Sequence, residues 1–448
     1  MRILMINYEF PPIGGGGGNV TYYLSRNLAL QGHEVHVITS GFKQLPRYEK
    51  LEGFFVHRVP VLRKNPNVCG VHEMLTYVVS ASIYCLGFVK KFRPDIVHVF
   101  FGIPSGPVAY LLKKLYNLPY VLFLGGRDVP RPHPDPPFYR LIYGLLSPAI
   151  KSIWGNAKAV VACSSGLKDM ALKTADNINI HVIPDGVDLA RFHPKETQSS
   201  DYSVENNLHG KILNPPNPLF QRGNSMLPFQ RGNNSISPFS KGGKGDLRRM
   251  QDSFATLKNQ ETQIENRPVK ILAIGRLIPR KGFDCLIRSL PEVAKSVQDN
   301  FYVEIVGDGP LRSELTRMAE ELHVSDKVIF AGSVPYEQLH ENYQQADVFV
   351  LSSLAEGMPL VVLEAMASGL PIVATQVQGM NELVKVGING FLFVPSNYQN
   401  LSRHLAKLIS NGSIRKQMGK ESLKIVQKYD WSSITEEYLN LYKMQDTK

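Results

Sequence analysis

Residues 347 to 375 read "DVFVLSSLAEGMPLVVLEAMASGLPIVAT". An apolar β-branched run leads through a polar loop into a helical stretch that begins after Pro359 and stops before Gly369, and a second short β-rich run, "PIVAT", follows. Proline suits the first turn of a helix, where its missing N–H is no loss, and glycine suits the position just past the end. Strand, helix and strand in this order, with the strands apolar throughout, define a βαβ unit of a parallel sheet covered on both faces.

The same alternation runs outward in both directions. Upstream, "RILMINY", "EVHVIT", "FFVHRV", "DIVHVF", "YVLFL" and "AVVAC" read as strands between helical stretches such as "VTYYLSRNLALQG"; "VKILAIG", "YVEIVGDG" and "KVIFAG" resume the pattern later. Between them, residues 196–268 are rich in Asn, Pro, Gly, Ser, Gln and Arg and repeat a short unit as "PLFQRGNS", "LPFQRGNN" and "SPFSKGGK". That segment is too poor in aliphatic residues to bury a core and is expected to be a disordered insertion. The 448 residues therefore divide into a Rossmann-like domain (1–195), the insertion (196–268), a second Rossmann-like domain (269–429) and a closing amphipathic helix within 430–448 that can pack back on the first.

Composition narrows the setting. The first residues carry an apolar run too short for a signal peptide, and the most apolar later run, Met74 to Val89, is 16 residues, read as a core helix because a spanning helix needs roughly 20. Cys69, Cys85, Cys163 and Cys285 show no metal-ligand spacing, which fits a reduced cytoplasm. Residues 1–195 hold 22 Lys and Arg against 12 Asp and Glu, nearly the whole +11 net charge of the chain. Such an excess suits an anionic lipid surface, a diphosphate-linked acceptor or nucleic acid, or is a solvated surface without a partner. Nucleic acid fits worst, because the aromatic interleaving of a base-stacking surface is missing.

The chemistry concentrates in three stretches. Glu364 is a single carboxylate on the second turn of the most apolar helix, a costly placement unless something pairs with it. It lies about 7 to 8 Å along the axis from Pro359, a spacing comparable to that between diphosphate and ribose in one nucleotide. The helix start at Gly357, Met358, Pro359 and Leu360, with the free N–H groups of its non-proline residues, can then face a diphosphate while Glu364 accepts from both ribose hydroxyls. The alternative partner is a distant Lys or Arg. In "GRLIPRKG", Arg276 and Lys281 follow a strand and open a helix, at the strand-end crevice where such sheets bind ligands, and two cations there suit a diphosphate; the alternative is a charged loop without a ligand. No Asp-x-Asp pair is present to hold a divalent ion. In "PPIGGGGGNV", Gly15, Gly16 and Gly17 let backbone approach an anion closely, or form a flexible turn. A dinucleotide site is excluded, because the chain reads "VITSG" where an acid should take the ribose.

Together these stretches, with "VGDGP", "GINGFLFVP" and "VIPDGVDLARFHP", resemble the retaining glycosyltransferases of family four, enzymes with two facing Rossmann-like domains and an interdomain cleft (the GT-B architecture). The spacing Glu-x7-Glu of Glu356 and Glu364 is the most specific part. The resemblance implies that Arg276 and Lys281 bind the donor diphosphate, Glu364 the ribose, Glu356 the transferred sugar, and backbone near Gly307, Ser333 and Val334 the base. It implies a hexosyl-type transfer from a UDP- or GDP-sugar to a glycan, lipid-linked or small-molecule acceptor, with no metal and no cofactor; peripheral contact with an anionic membrane is the expectation set by the basic charge of the first domain. An epimerase, an inverting transferase or a non-catalytic nucleotide-sugar-binding protein shares the architecture. One departure stands out: Gly125, in "GGRDVP", occupies the place of a histidine that many members carry, so Arg127 and Asp128 are assigned to shaping the sugar or acceptor pocket.

Overall fold

The computed structural model describes residues 1–66, 69–126, 129, 137–195 and 267–444, with backbone alone at 137–143. Residues 196–266 of the expected insertion, and Arg127 and Asp128, lie outside the described residues.

The first domain is built on eight strands: β1 (Arg2–Ile6), β2 (Glu34–Ser40), β3 (Tyr48–Leu51), β4 (Phe54–Val59), β5 (Ile96–Phe100), β6 (Tyr120–Leu124), β7 (Ala159–Ala162) and β8 (Ile180–Val182). They form one sheet in the order β3-β4-β2-β1-β5-β6-β7-β8, parallel except for the β3–β4 pair. The second domain carries β9 (Val269–Ile274), β10 (Phe301–Val306), β11 (Val328–Gly332), β12 (Val348–Leu351), β13 (Ile372–Thr375) and β14 (Gly390–Phe393), all parallel, in the order β11-β10-β9-β12-β13-β14. The βαβ unit read from residues 347–375 is β12, its helix and β13, paired Phe349 to Ile372. Two parallel-sheet α/β domains are thus borne out, and the reason is visible in β1 and β9. Strands covered on both faces have no polar side, so Ile3 to Ile6 and Ile271 to Ala273 are almost fully buried and read as unbroken apolar runs.

Helices cover both sheets: α1 (Gly16–Leu30), α2 (Val71–Phe92), α3 (Gly106–Tyr116), α4 (Pro137–Gly155) and α5 (Ser165–Leu172) in the first domain, and α6 (Phe283–Ser296), α7 (Arg312–Glu321), α8 (Leu339–Gln344), α9 (Leu360–Ala367), α10 (Met380–Leu383), α11 (Tyr398–Ile409), α12 (Gly412–Val426) and α13 (Trp431–Lys443) after it. Strand order reverses beside β1 and beside β9, so the loops leaving those strands open into the crevice that this topology creates. Gly15 to Gly17 follow β1, and Arg276 to Lys281 follow β9.

The chain crosses between domains twice, and the crossings meet. Val187 pairs with Asp430, its N–H donating to the Tyr429 carbonyl at 2.8 Å. Helix α13 then returns to the first domain, where Trp431 stacks on Tyr23 of α1 at 5.7 Å and the Tyr442 hydroxyl bonds His98 of β5. Gly186 is required beneath that indole, since a Cβ there would fall 2.5 Å from Trp431. Beside it Asp185 is buried with Oδ1 unpartnered, and burial pushes its carboxyl up from 3.8 to about 7.

Helix α2 corrects the sequence reading. It spans 22 residues rather than 16, and only one face belongs to the core: Tyr77, Ala81, Cys85 and Val89 point inward, while Leu75, Val79 and Ile83 remain exposed. Continuous hydrophobicity hid the fact that apolar residues four apart occupy two opposite faces.

Truncating Trp431 removes the ring that closes the junction, so Trp431→Ala is expected to lower unfolding free energy by about 3 to 5 kcal/mol, read from urea denaturation. The Asp185 prediction follows from proton linkage. The folded state holds the proton up to about pH 7 and the unfolded chain releases it near 3.8, so wild-type stability falls as pH rises through that window. Asp185→Asn removes the effect. The variant should match wild type near the bottom of the window and exceed it near the top, as measured by melting across pH.

Candidate active site

Three loops and one helix terminus converge between the domains. The loop between β9 and α6 carries Arg276, half-buried at the strand end, and Lys281 within a single 3₁₀ turn. Gly282, at φ +61°, ends that turn against the Ser352 carbonyl, where a Cβ would approach to 2.2 Å. The turn therefore sits directly on the loop that leaves β12. Across it the Lys281 ammonium donates to Glu356 Oε1 at 2.7 Å. Burial works to raise the Glu356 carboxyl, but Lys281 and Arg280 beside it prevail and hold it below the usual carboxylate range. Glu356 is an ionised acceptor at neutral pH.

Glu364, on α9, is 2% exposed. Two side chains of the protein itself satisfy it. Its Oε2 accepts from the Tyr343 hydroxyl at 2.7 Å and its Oε1 from the Tyr336 hydroxyl at 2.9 Å, and the partners are phenols rather than a Lys or Arg. Burial raises its pKa while the two phenols and the Arg191 charge work to lower it. Both tyrosines are themselves pushed well above the phenol range, by burial and by the carboxylate they face. A carboxylate offers about four acceptor positions, so two phenols leave capacity for further donors. Phe192 packs edge-on against both tyrosine rings and Arg191 lies over Tyr336 at 5.6 Å, which ties this carboxylate to the crossing segment.

The glycines fix how closely backbone approaches. Gly307, at φ +133°, lies against Gly275, since a Cβ would come within 2.0 Å of the Gly275 carbonyl. This clamps the β10 end to the loop bearing Arg276. Ser333 is exposed and Val334 half-buried after β11, two residues ahead of Tyr336. From the first domain, Gly16 meets the Leu360 side chain, where a Cβ would be 3.8 Å from its terminal carbon. The Ser164 hydroxyl donates to the Gly357 carbonyl at 3.0 Å, and the Ser165 N–H donates to Glu382 at 2.7 Å. Met358 is buried and its sulfur receives the Asp185 N–H; Pro359 caps α9 in an extended conformation.

Two participants escaped sequence reasoning. Tyr336 and Tyr343 are 28 and 21 residues upstream of Glu364 and carry no local signal. Phe101, after β5, holds φ at +72°, an unusual conformation for a bulky residue. Its ring fills the space beside both glycine loops: a Cβ at Gly125 would lie 2.2 Å from it and one at Gly17 2.4 Å. No side chain, histidine included, fits at Gly125 while Phe101 stays.

A strand-end crevice between two parallel α/β domains, lined by cations, buried carboxylates and close backbone, defines the GT-B class of glycosyltransferase. Known families agree. The profile described as "Glycosyltransferase Family 4" matches residues 14–191 and that described as "Glycosyl transferases group 1" matches 255–424. An uncharacterised glycosyltransferase of Methanocaldococcus jannaschii is 27% identical over 446 residues, covering 99% of this chain and 98% of that protein. The sulfoquinovosyl transferase of Arabidopsis thaliana is 31% identical over 93% of this chain and 68% of its own length. Among solved structures, a sucrose-phosphate synthase from Thermosynechococcus elongatus has a similar fold, with TM-score 0.72 and 20% identity over 99% of this chain and 98% of that one. The chain belongs to the family-four glycosyltransferases.

Tyr343→Phe leaves a buried carboxylate with one donor fewer and is expected to cost about 1 to 3 kcal/mol. The sign with pH follows from the raised Glu364 pKa. The folded state favours the protonated acid, so stability declines as pH climbs from the unfolded carboxylate value through the folded one. Losing a phenol donor enlarges that decline. Melting curves of Tyr343→Phe should therefore fall further behind wild type at the upper end of the window than at the lower.

Proposed function

We propose that the enzyme transfers a hexosyl-type sugar, with retention of anomeric configuration and without metal, from a UDP- or GDP-sugar to a glycan, lipid-linked or small-molecule acceptor. The observation that carries this reading is the Lys281–Glu356 pair, with Arg276 and Arg280 on the same loop, at the entry to α9. Cations bound to one carboxylate remain able to share donors with a diphosphate, and Glu356, held ionised, suits hydroxyl groups of the transferred sugar. Glu364 then takes the ribose hydroxyls with its remaining acceptor positions, and backbone at Gly307, Ser333 and Val334 takes the base.

In the reaction the C1–O bond to the leaving phosphate breaks as the acceptor oxygen bonds C1 on the same face. The acceptor proton passes to the departing phosphate oxygen, so no protein base is required. Lys281 and Arg276 offset the charge that develops on the phosphate, and close backbone at Gly15 to Gly17 orients the reactants. Among the described residues no group of three or more His, Cys, Asp or Glu side chains is placed to hold a metal ion. The four cysteines are free thiols, which supports a cytoplasmic location.

A panel of UDP-, GDP- and ADP-sugars scored by protein thermal stabilisation identifies the donor, and proton NMR of the product gives its anomeric configuration. Glu364→Gln keeps one acceptor oxygen for a phenol, places an NH2 donor where the other oxygen stood, and cannot carry a negative charge. It is expected to weaken donor binding by roughly tenfold or more, the worth of a charged hydrogen bond. Unchanged affinity in a folded Glu364→Gln protein refutes the ribose assignment, and an inverted product refutes the mechanism.

A further inference from the structure

The Gly357–Met358 peptide is held from both domains. It lies between Glu356, which receives Lys281, and Pro359, which caps α9. Its carbonyl accepts the Ser164 hydroxyl at 3.0 Å. The same oxygen rests on Gly379, at φ +79°, where a Cβ would approach to 2.1 Å. The Gly357 Cα faces the first domain as well: a Cβ there would lie 3.1 Å from the Cys163 sulfur and 3.7 Å from the Gly125 carbonyl. The next side chain is anchored by the crossing segment, since the Met358 sulfur receives the Asp185 N–H at 3.3 Å.

Ser164 uses one hydroxyl for two purposes. It stands two residues past β7, fully buried, as the N-cap of α5, where its Oγ accepts the Leu167 N–H at 3.3 Å. Capping needs an acceptor alone, which Asp or Asn supplies as well. The hydroxyl hydrogen is spent elsewhere, on the Gly357 carbonyl of the other domain. Ser165 makes a second crossing, its N–H donating to Glu382 on α10, so the start of α5 is seated on the second domain by two bonds.

A peptide is planar and trans, so its N–H points opposite to its C=O. With the Gly357 carbonyl directed at Ser164 and Gly379, the Met358 N–H is directed away from both. Among the described residues that N–H has no hydrogen-bond partner, although Met358 is buried. Buried backbone donors are nearly always paired, so this one is available to a ligand.

We infer that Ser164 is a positioning residue for the transfer: from the first domain it fixes the Gly357–Met358 peptide so that the Met358 N–H donates to the donor diphosphate. Ser164 touches no substrate and acts through that amide. The assignment rests on the transfer reading, in which the diphosphate lies against the start of α9. A preset amide stabilises negative charge on the phosphate without having to turn first, which is why its direction is worth fixing from two sides.

The test is calorimetric titration of the full chain with UDP, GDP, uridine and guanosine. Ser164→Gly removes the hydroxyl where glycine is a tolerated cap, so the variant folds. It should bind the preferred nucleoside diphosphate roughly tenfold more weakly, the worth of one hydrogen bond to a charged group, and bind the matching nucleoside as wild type does. Ser164→Thr keeps the hydroxyl and should restore the diphosphate affinity. Glu382→Ala loosens the neighbouring contact without touching the carbonyl and should leave the ratio of the two affinities at its wild-type value. A merely structural Ser164 would move both ligands together or neither. Wild type that binds neither UDP nor GDP removes the donor site, and this assignment with it. Wild type that binds one of them, while folded Ser164→Gly binds it equally well or loses the nucleoside in parallel, overturns the Ser164 assignment and leaves the transfer reading standing. So does a Glu382→Ala protein whose ratio falls as far as that of Ser164→Gly.

Discussion

A charged oxygen away from water needs partners, and most of what is distinctive in this protein answers that need. The second domain places two carboxylates eight residues apart on one loop and helix, both largely removed from solvent. They are satisfied in opposite ways. Glu356 receives cations from the loop after β9, which keeps it ionised and ties that loop to the end of β12. Glu364 receives neutral phenols, which solvate it without cancelling its charge. An ion pair at Glu364 would consume the carboxylate, whereas two phenols leave acceptor positions in hand. The asymmetry separates a position that organises cations from one that stays open to hydroxyl donors.

Those partners also explain how the domains communicate. Tyr336 and Tyr343 are packed by Phe192 from the crossing segment, and Tyr336 lies 6.3 Å from Tyr23 of α1, which stacks on Trp431 of the returning helix. The surroundings of Glu364 are therefore assembled from both domains and both crossings. A change in how the domains meet changes what surrounds that carboxylate.

The fold was legible because parallel strands buried on both faces leave a signature that survives without neighbours. β6 and β12 are apolar throughout, β1, β5 and β9 are broken by a single polar residue each (Arg2, His98 and Lys270), and Gly125 and Gly275 mark the ends of β6 and β9. Individual charged residues of the site were legible for a related reason, since an acid in an apolar helix or a cation pair at a strand end stands out locally. What joins them was not. The phenols of Glu364 come from an earlier element, and nothing in "VPYEQLHENY" singles out two tyrosines. The opposite faces of α2 were lost because a uniformly apolar run has no periodicity to read. Phe101 left no trace, since its left-handed backbone is imposed by tertiary packing.

That phenylalanine bears on the departure at Gly125. A missing side chain in a pocket suggests vacant space or lost function, yet the space is taken. The Phe101 ring lies where a Cβ of residue 17 or 125 would go, so both glycines are complements of one aromatic group. Phe101 is 8% exposed and packs edge-on against Tyr8, whose own ring is buried. Its unfavourable backbone is offset by that packing, and strain retained beside a strand-end crevice is characteristic of positions that shape a ligand. The first domain thus presents an apolar wall where the resemblance would place a polar side chain. That side of the crevice is therefore walled by a ring face and the close backbone of two glycines rather than by an imidazole.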